Sequence, residues 1–149
     1  MRPFDYEQDF KSIDFRQQPE CYQVGRGEQG VFMVEPYKSE ILPFWRFRTV
    51  ELAQESSQQI MQLFEAYRAE DDFVGMDMAR KFIQMGYTRA RRYSNHQGGR
   101  KYDAQGKELP RTTEKEKAAA AAIFKSCWDR LRADTDYLAR KRAHQQKYG

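Results

Sequence analysis

The chain has 149 residues, a formal net charge of +4 and 14% aromatic residues. This length predicts one domain with a buried core, and the longest apolar run, residues 118–124, is far too short to span a membrane. Because the N-terminus also lacks the apolar segment of a secretory signal, the composition excludes secreted and membrane-spanning classes and predicts a cytoplasmic protein that does not bind membranes.

Charge is distributed unevenly along the chain. Residues 1–75 carry 8 basic and 14 acidic side chains, a net charge of −6, whereas residues 76–149 carry 18 basic and 8 acidic side chains, a net charge of +10. Such an asymmetry is typical of a protein with one side that faces a polyanion. Folding can also interleave the two halves, in which case their charges compensate each other.

The sequence of residues 1–48 predicts an aromatic arm followed by a β-hairpin. The first twenty residues mix aromatic and acidic side chains without a sustained period, which indicates an irregular arm anchored on the core. Cys21–Val24 and Val31–Val34 are short β-prone runs on either side of a glycine-rich turn. Pro36 and Pro43 then favour extended or turn geometry.

Gly25, Gly27 and Gly30 match the literal pattern G-x-G-x-x-G. A dinucleotide fingerprint requires a helix directly after the glycines, because the N-terminus of that helix binds the pyrophosphate. Here β-branched residues and Pro36 follow instead, and the downstream motifs of a kinase are missing. A hairpin turn accounts for the glycines without a ligand, so the sequence predicts no nucleotide cofactor.

Residues 49–96 predict a pair of helices. Thr49 is a good N-cap, and apolar residues repeat after it at helical spacing to about Asp71. The second helix runs from about residue 72, and Gly86 within it fits either a close crossing with another helix or a helix end with a restart at Thr88. The apolar stripe of this helix consists of Ala79, Phe82, Ile83, Gly86, Ala90 and Tyr93. Its opposite side, predicted to face solvent, consists of Arg80, Lys81, Gln84, Thr88, Arg91 and Arg92.

Residues 97–112 contain many helix breakers and predict a loop, whereas residues 113–149 predict C-terminal helices with a basic tail. Thr113 and Glu116 fit a capping box, and a final short helix is predicted from about Thr135. The buried face of the first of these helices is predicted to consist of Ala119, Ile123, Cys127 or Trp128, and Leu131. Together the elements predict a single domain, residues 1–149, of the α+β class. In it a small N-terminal β-hairpin and an extended aromatic arm pack on three to four α-helices.

The segment GYTRARRYSNHQGGRKY, residues 86–102, contains five basic residues, three tyrosines and no acid. Basic side chains at this density neutralise backbone phosphates and gain free energy by counterion release, while tyrosine and histidine rings stack on unpaired bases. We therefore predict a non-enzymatic accessory protein that binds nucleic acid, with RNA favoured over DNA. The predicted contacts are Arg80, Lys81, Arg89, Arg91, Arg92, His96, Arg100, Lys101 and Tyr102.

Two other functions stay open at this point. The opposite charges of the two halves fit a structural or adaptor protein that binds an acidic protein or associates with itself. His96, together with nearby acids, fits a metal-dependent nuclease, although acids such as Asp71, Asp72 and Asp77 are also common at the start of a helix. The two histidines and two cysteines match no zinc spacing. The sequence therefore predicts no catalytic residue, metal or cofactor, and two reduced thiols.

Three blocks carry a resemblance that covers almost the whole chain. GEQGVFMVEPYKSEILPFWRFRT, DDFVGMDMARKFIQMGYTRARRYSNHQGGRKY and the closing H…KYG resemble a family of small uncharacterised proteins of bacteria and their phages, catalogued as a domain of unknown function. The resemblance implies a single domain and an intracellular setting. It implies no activity, cofactor or catalytic residue.

Overall fold

The chain forms helices joined by turns. The computed structural model describes residues 3–95, 104–107 and 115–149. Within these ranges lie five α-helices: α1 (Tyr37–Ile41), α2 (Val50–Ala69), α3 (Phe73–Asn95), α4 (Lys115–Ala133) and α5 (Thr135–Tyr148). Short 3₁₀ turns at Phe10–Ser12, Pro19–Cys21 and Leu42–Phe44 shape the N-terminal part.

The predicted α+β class is wrong, because the described residues contain helices and turns but no β-strand. The predicted hairpin is replaced by a coil that passes through consecutive turns between Arg26 and Met33. In these turns the N–H of Gln29 donates to the carbonyl of Arg26, and the N–H of Val31 donates to the carbonyl of Glu28. The two apolar runs therefore do not pair as strands, and their residues Val24, Val31 and Val34 are buried in the core.

Residues 25–30, named here the glycine segment, need glycine for their backbone geometry. Gly25, Gly27 and Gly30 have φ values of 70°, 56° and 79°, a region that residues with a Cβ rarely adopt. A Cβ on Gly30 would also lie 2.5 Å from the ring of Phe4. The glycines thus allow the backbone of this segment to turn and to pack against Phe4 of the N-terminal arm. The flanking apolar residues Val24 and Val31 are buried in the core.

Helix α3 is the centre of the molecule, with α2 and α4 packed on it. The crossings are close because glycine stands at each of them. A Cβ on Gly75 would lie 2.4 Å from the ring of Tyr67 on α2, and a Cβ on Gly86 would lie 2.5 Å from Phe124 on α4. Helix α3 runs unbroken through Gly86, so the close crossing predicted as one of two alternatives is confirmed.

Side-chain caps hold two of the helix ends, one of which was predicted. The hydroxyl oxygen of Thr49 accepts a hydrogen bond of 3.1 Å from the N–H of Leu52, which confirms Thr49 as the N-cap of α2. Asp134 caps α5 by accepting a 2.9 Å hydrogen bond from the N–H of Tyr137. The proposed capping residue Thr113 lies outside the described residues.

The predicted faces of the helices are correct in part. On α4 the buried side chains are Ala120, Ala121, Phe124, Cys127 and Leu131. Cys127 and Leu131 are as predicted, whereas Ala119 is exposed. On α3 every residue from 74 to 83 is buried, because the N-terminal arm, the glycine segment and α5 cover the face that was predicted to meet solvent. Within the described part of the chain, none of the helices has the length and apolar character needed to cross a lipid bilayer.

Candidate functional site

The structure describes five of the nine residues predicted to contact nucleic acid, and it separates them into two groups. Arg89, Arg91 and Arg92 are exposed near the C-terminal end of α3. Arg80 and Lys81 are 7% and 0% exposed, so the prediction that they face solvent is wrong. The remaining four, His96, Arg100, Lys101 and Tyr102, lie outside the described residues.

Arg80 and Lys81 are buried because they belong to a polar cluster centred on Asp77, which is fully buried. The carboxylate of Asp77 accepts hydrogen bonds from the hydroxyl of Tyr22, from the hydroxyl of Tyr137 at 2.5 Å, and from Nε and Nη2 of Arg80 at 3.0 and 2.7 Å. Burial by itself would raise the pKa of Asp77, but the charges of Arg80 and Lys81 and the two hydroxyls lower the pKa to about 2. The carboxylate is therefore ionised and fully satisfied.

Arg80 connects this cluster to the glycine segment. Its Nη1 donates to the backbone carbonyl of Gly27 and, at 2.8 Å, to Oε1 of Gln84. With Asp77 on its other edge, the guanidinium group is held in one orientation. Arg80 is thus a structural link between α3 and the glycine segment.

Lys81 makes a second link to the same segment. Its Nζ donates to the carbonyl of Gln29 at 2.6 Å and lies 4.8 Å from the centre of the Tyr22 ring. Burial lowers the pKa of Lys81 to about 7, although the charge of Asp77 opposes this shift. Because the ammonium group is sealed from solvent, it is not available to a phosphate.

The exposed arginines of α3 have a different environment. Arg89 and Arg91 make no ion pair with a carboxylate of the described residues. Glu28 of the glycine segment accepts a 3.3 Å hydrogen bond from the hydroxyl of Thr88, and the charge of Arg89 opposes the rise in the Glu28 pKa that burial causes. The described carboxylates therefore form no ion pair with these two arginines.

A cavity of about 400 Å³ opens between the glycine segment, α3, α4 and α5. Trp128 forms one wall, with its ring 5.6 Å from that of Tyr87 and with the guanidinium carbon of Arg132 at 3.9 Å over it. No acidic side chain is among the described residues that line this cavity. These residues are Gly25, Gly27, Arg80, Gln84, Trp128, Arg132, Tyr137, Leu138 and Lys141.

The residues considered for a metal-dependent nuclease do not form a metal site in the described ranges. No group of three or more His, Cys, Asp or Glu side chains there is arranged to hold a metal ion. Asp71 pairs with Arg140 at 3.1 Å, and Asp72 accepts hydrogen bonds from the hydroxyl of Tyr37 at 2.7 and 2.8 Å. Nε2 of His144 donates to the carbonyl of Tyr22 at 2.7 Å, and burial lowers the pKa of this ring.

Several residues of the cluster and the cavity were missed by sequence reasoning. Tyr22 and Tyr137 come from opposite ends of the chain, and their sequence context gives no sign that they meet. One signal did exist, because Arg80 and Lys81 follow Asp77 at spacings of three and four residues, which place them on one helix face. That spacing indicates that the two positive charges are compensated locally.

The comparison with known proteins identifies the family. No curated protein and no solved structure matches the chain. A family model described as Domain of unknown function (DUF4385) matches residues 5–147. Since the match covers nearly the whole chain and agrees with the resemblance of the three sequence blocks, the chain belongs to the DUF4385 family.

Proposed function

We propose that this protein is a non-enzymatic accessory protein that binds nucleic acid through the exposed arginines at the C-terminal end of α3. The observation that carries the proposal is that Arg89 and Arg91 are exposed without a carboxylate partner among the described residues. Arg92 is exposed beside them. Arg80 and Lys81 have no place in the proposed interface, because their charges are buried and compensated.

The arrangement of these arginines supports contact with a phosphate backbone. At 3.6 residues per turn, residues 89, 91 and 92 span an arc of about 160°, so they can contact phosphates along one side of the end of α3. Guanidinium groups bind phosphate oxygens through paired N–H donors. Such contacts give affinity that depends on salt and little on base sequence.

Aromatic rings beside the arginines support binding of single strands. Tyr93 is half-buried and lies 5.8 Å from the ring of Phe47. Tyr87 is half-buried against Trp128. Partly exposed rings next to phosphate-binding arginines provide stacking surfaces for unpaired bases, which is why we place single-stranded RNA ahead of duplex DNA as the ligand.

The test is the salt dependence of binding to single-stranded RNA, single-stranded DNA and duplex DNA oligonucleotides. We expect the double variant Arg89→Gln, Arg91→Gln to lose about two phosphate contacts. The slope of log K against log salt should then become shallower by about 1.4 for a single strand. The matched control is Lys38→Gln, Lys147→Gln, which removes the same charge from α1 and α5 and leaves α3 unchanged.

Two results would contradict the proposal. One is an absence of binding to all three oligonucleotides at low salt. The other is an equal loss of affinity in the two double variants, because the effect would then come from net charge and not from the α3 arginines.

The second candidate function is binding to a protein partner, and a separate observation supports it. Phe32 and Met33 are 45% and 39% exposed, and the Phe32 ring contacts Trp45 at 6.5 Å between centroids. Exposed apolar side chains that adjoin the core are typical of an interaction surface. Light scattering at low and high salt tests self-association, and a dimer that dissociates in Phe32→Ser would favour this candidate.

We also infer a cytoplasmic setting in bacteria or their phages. This is supported by the family resemblance and by the two cysteines, which are free thiols with Cys127 buried and Cys21 half-buried. Free thiols are typical of reducing compartments. Alkylation of both thiols in freshly lysed cells is the expected result, and a disulfide-linked species would argue against this setting.

A further inference from the structure

The cavity beside the glycine segment has the charge of an anion site. Of its three cationic lining residues, Arg80 is compensated by Asp77 and Arg132 pairs with Asp129 on the same helix. Lys141 has no carboxylate within ion-pair distance among the described residues, and it lines the cavity half-buried. One positive charge of the cavity is therefore left for a ligand to neutralise.

Unused hydrogen-bond donors line the same space. The backbone N–H of Gly27, which lines the cavity, has no acceptor among the described residues. The amide of Gln84 uses its oxygen to accept from Arg80 at 2.8 Å, which leaves its two N–H donors available. Backbone N–H groups next to a residue of positive φ are a common cradle for phosphate oxygens, and Gly27 has a φ of 56°.

The far wall of the cavity offers a flat surface. The guanidinium carbon of Arg132 lies over the Trp128 ring, 3.9 Å from its centre, and half of the Arg132 side chain is exposed. Nucleic-acid bases stack on arginine planes as well as on aromatic rings. Leu138 adds an apolar surface beside this stack.

We infer that the glycine-segment cavity binds a nucleoside monophosphate unit, with the phosphate between Lys141, Gln84 and the Gly27 N–H and the base against Arg132. The unit is either a free nucleotide or the phosphorylated 5′ end of a strand, because both carry the same chemistry. The volume of about 400 Å³ falls in the range of small-ligand pockets and is far too small for a duplex. The residues involved differ from the arginines of the proposed function, so the inference does not depend on it.

Titration calorimetry with AMP, adenosine and inorganic phosphate tests the site. We expect AMP to bind, and phosphate and adenosine each to bind more weakly. Lys141→Gln should weaken AMP binding about tenfold, the loss of one charge-assisted hydrogen bond. Lys147→Gln, on the same helix but away from the cavity lining, is the matched control and should leave the affinity unchanged. Arg132→Gln should weaken AMP more than it weakens phosphate.

Competition between AMP and short oligonucleotides with a 5′-phosphate or a 5′-hydroxyl distinguishes a free nucleotide from the 5′ end of a strand as the ligand. If the phosphorylated strand competes with AMP and the hydroxyl strand does not, the site accepts strand ends; if neither competes, it is a site for free nucleotides. The inference is overturned if neither AMP nor the 5′-phosphorylated strand binds, or if Lys141→Gln folds normally by circular dichroism and binds AMP as well as the wild type. The variant Arg89→Gln, Arg91→Gln should keep its AMP affinity, which separates failure of this site from failure of the strand interface.

Discussion

At the scale of single residues, Asp77 supplies the negative charge that compensates the buried side chains of Arg80 and Lys81. Its carboxylate compensates Arg80 and Lys81 and accepts from the hydroxyls of Tyr22 and Tyr137. Removing one partner from a buried charge network leaves the other charges without compensation, which costs far more than breaking an exposed pair.

We therefore expect Asp77→Asn to lower the free energy of unfolding by about 3–5 kcal/mol. Urea unfolding followed by circular dichroism measures the change. The control is Asp129→Asn, an exposed carboxylate that pairs with Lys125 and Arg132 and whose loss should leave the midpoint nearly unchanged. If the two variants lose equal stability, Asp77 does not hold the cluster together.

Burial of Lys81 should make the free energy of unfolding depend on pH, with a sign that follows from its pKa. Burial lowers the pKa of Lys81 to about 7 in the folded protein, whereas an unfolded lysine titrates near 10.4. Between these two values the unfolded chain binds more protons at this position than the folded chain, so the free energy of unfolding rises with pH.

The measurement is the difference in unfolding free energy between the wild type and Lys81→Met, from about pH 7 to about pH 9.5. We expect this difference to grow in favour of the wild type by at most about 1.4 kcal/mol per pH unit, because a single proton sets that limit. The upper pH limit keeps the measurement below the ionisation of tyrosine. Burial raises the pKa of Tyr22 and Tyr137 in the folded protein, so at higher pH their contribution to the free energy of unfolding falls. Lys38→Met, at a partly exposed position of α1, should give a constant difference. A constant difference for Lys81→Met as well would show that the Lys81 ammonium is not shielded from solvent.

At the scale of the helices, Gly86 sets the distance between α3 and α4. A methyl group gained by Gly86→Ala would favour the helix by about 1 kcal/mol, but its carbon would lie 2.5 Å from the Phe124 ring. Overpacking of this kind costs about 1–3 kcal/mol, so we expect a net loss of stability. The double variant Gly86→Ala, Phe124→Leu should be more stable than the sum of the single variants predicts, and a stabilising Gly86→Ala would contradict the close crossing.

The helices also show what sequence patterns specify. Thr49 as a cap and the apolar period of α2 and α3 depend on local spacing, and both were predictable. The crossing at Gly86 was one of two alternatives that the local spacing left open. The hairpin prediction was wrong, because Val24 and Val31 have the composition of strand residues for a different reason: both are buried in the core. A helical wheel assigned Lys81 to solvent, since a wheel contains no information about the distant segment that covers that face.

At the scale of the whole molecule, folding interleaves the acidic and basic halves. Arg68 of α2 pairs with Asp134 and Asp136 at 2.5 and 2.8 Å, and Arg140 of α5 pairs with Asp71 at 3.1 Å. Of these pairs, Arg140–Asp71 joins a base of the basic half to an acid of the acidic half. The Arg68 pairs join the minority charges of the two halves, so they leave the charge difference between the halves in place. The charge pattern of the sequence therefore points to the candidate strand interface only at the end of α3, where Arg89 and Arg91 form no ion pair with a described carboxylate. It gave no sign of the cavity, which is lined by residues from four separate segments.

The same connections predict that the molecule unfolds as one unit. Tyr22, α3 and Tyr137 of α5 meet at Asp77, so the N-terminal segment and the last helix cannot detach without exposing a buried carboxylate. The chain has two tryptophans, and both pack on α3: Trp45 lies 6.0 Å from the Phe82 ring and Trp128 lies 5.6 Å from the Tyr87 ring. Each therefore reports on a different side of the core.

We expect Trp45→Phe and Trp128→Phe each to give a urea transition in which the fluorescence of the remaining tryptophan coincides with circular dichroism at 222 nm, as two-state unfolding requires. The comparison is made within each variant, so a change in overall stability caused by the substitution does not affect it. A fluorescence midpoint that precedes the loss of helix in either variant would show that one side of α3 opens first. In that case the Asp77 cluster would stabilise one part of the fold and not join its two ends.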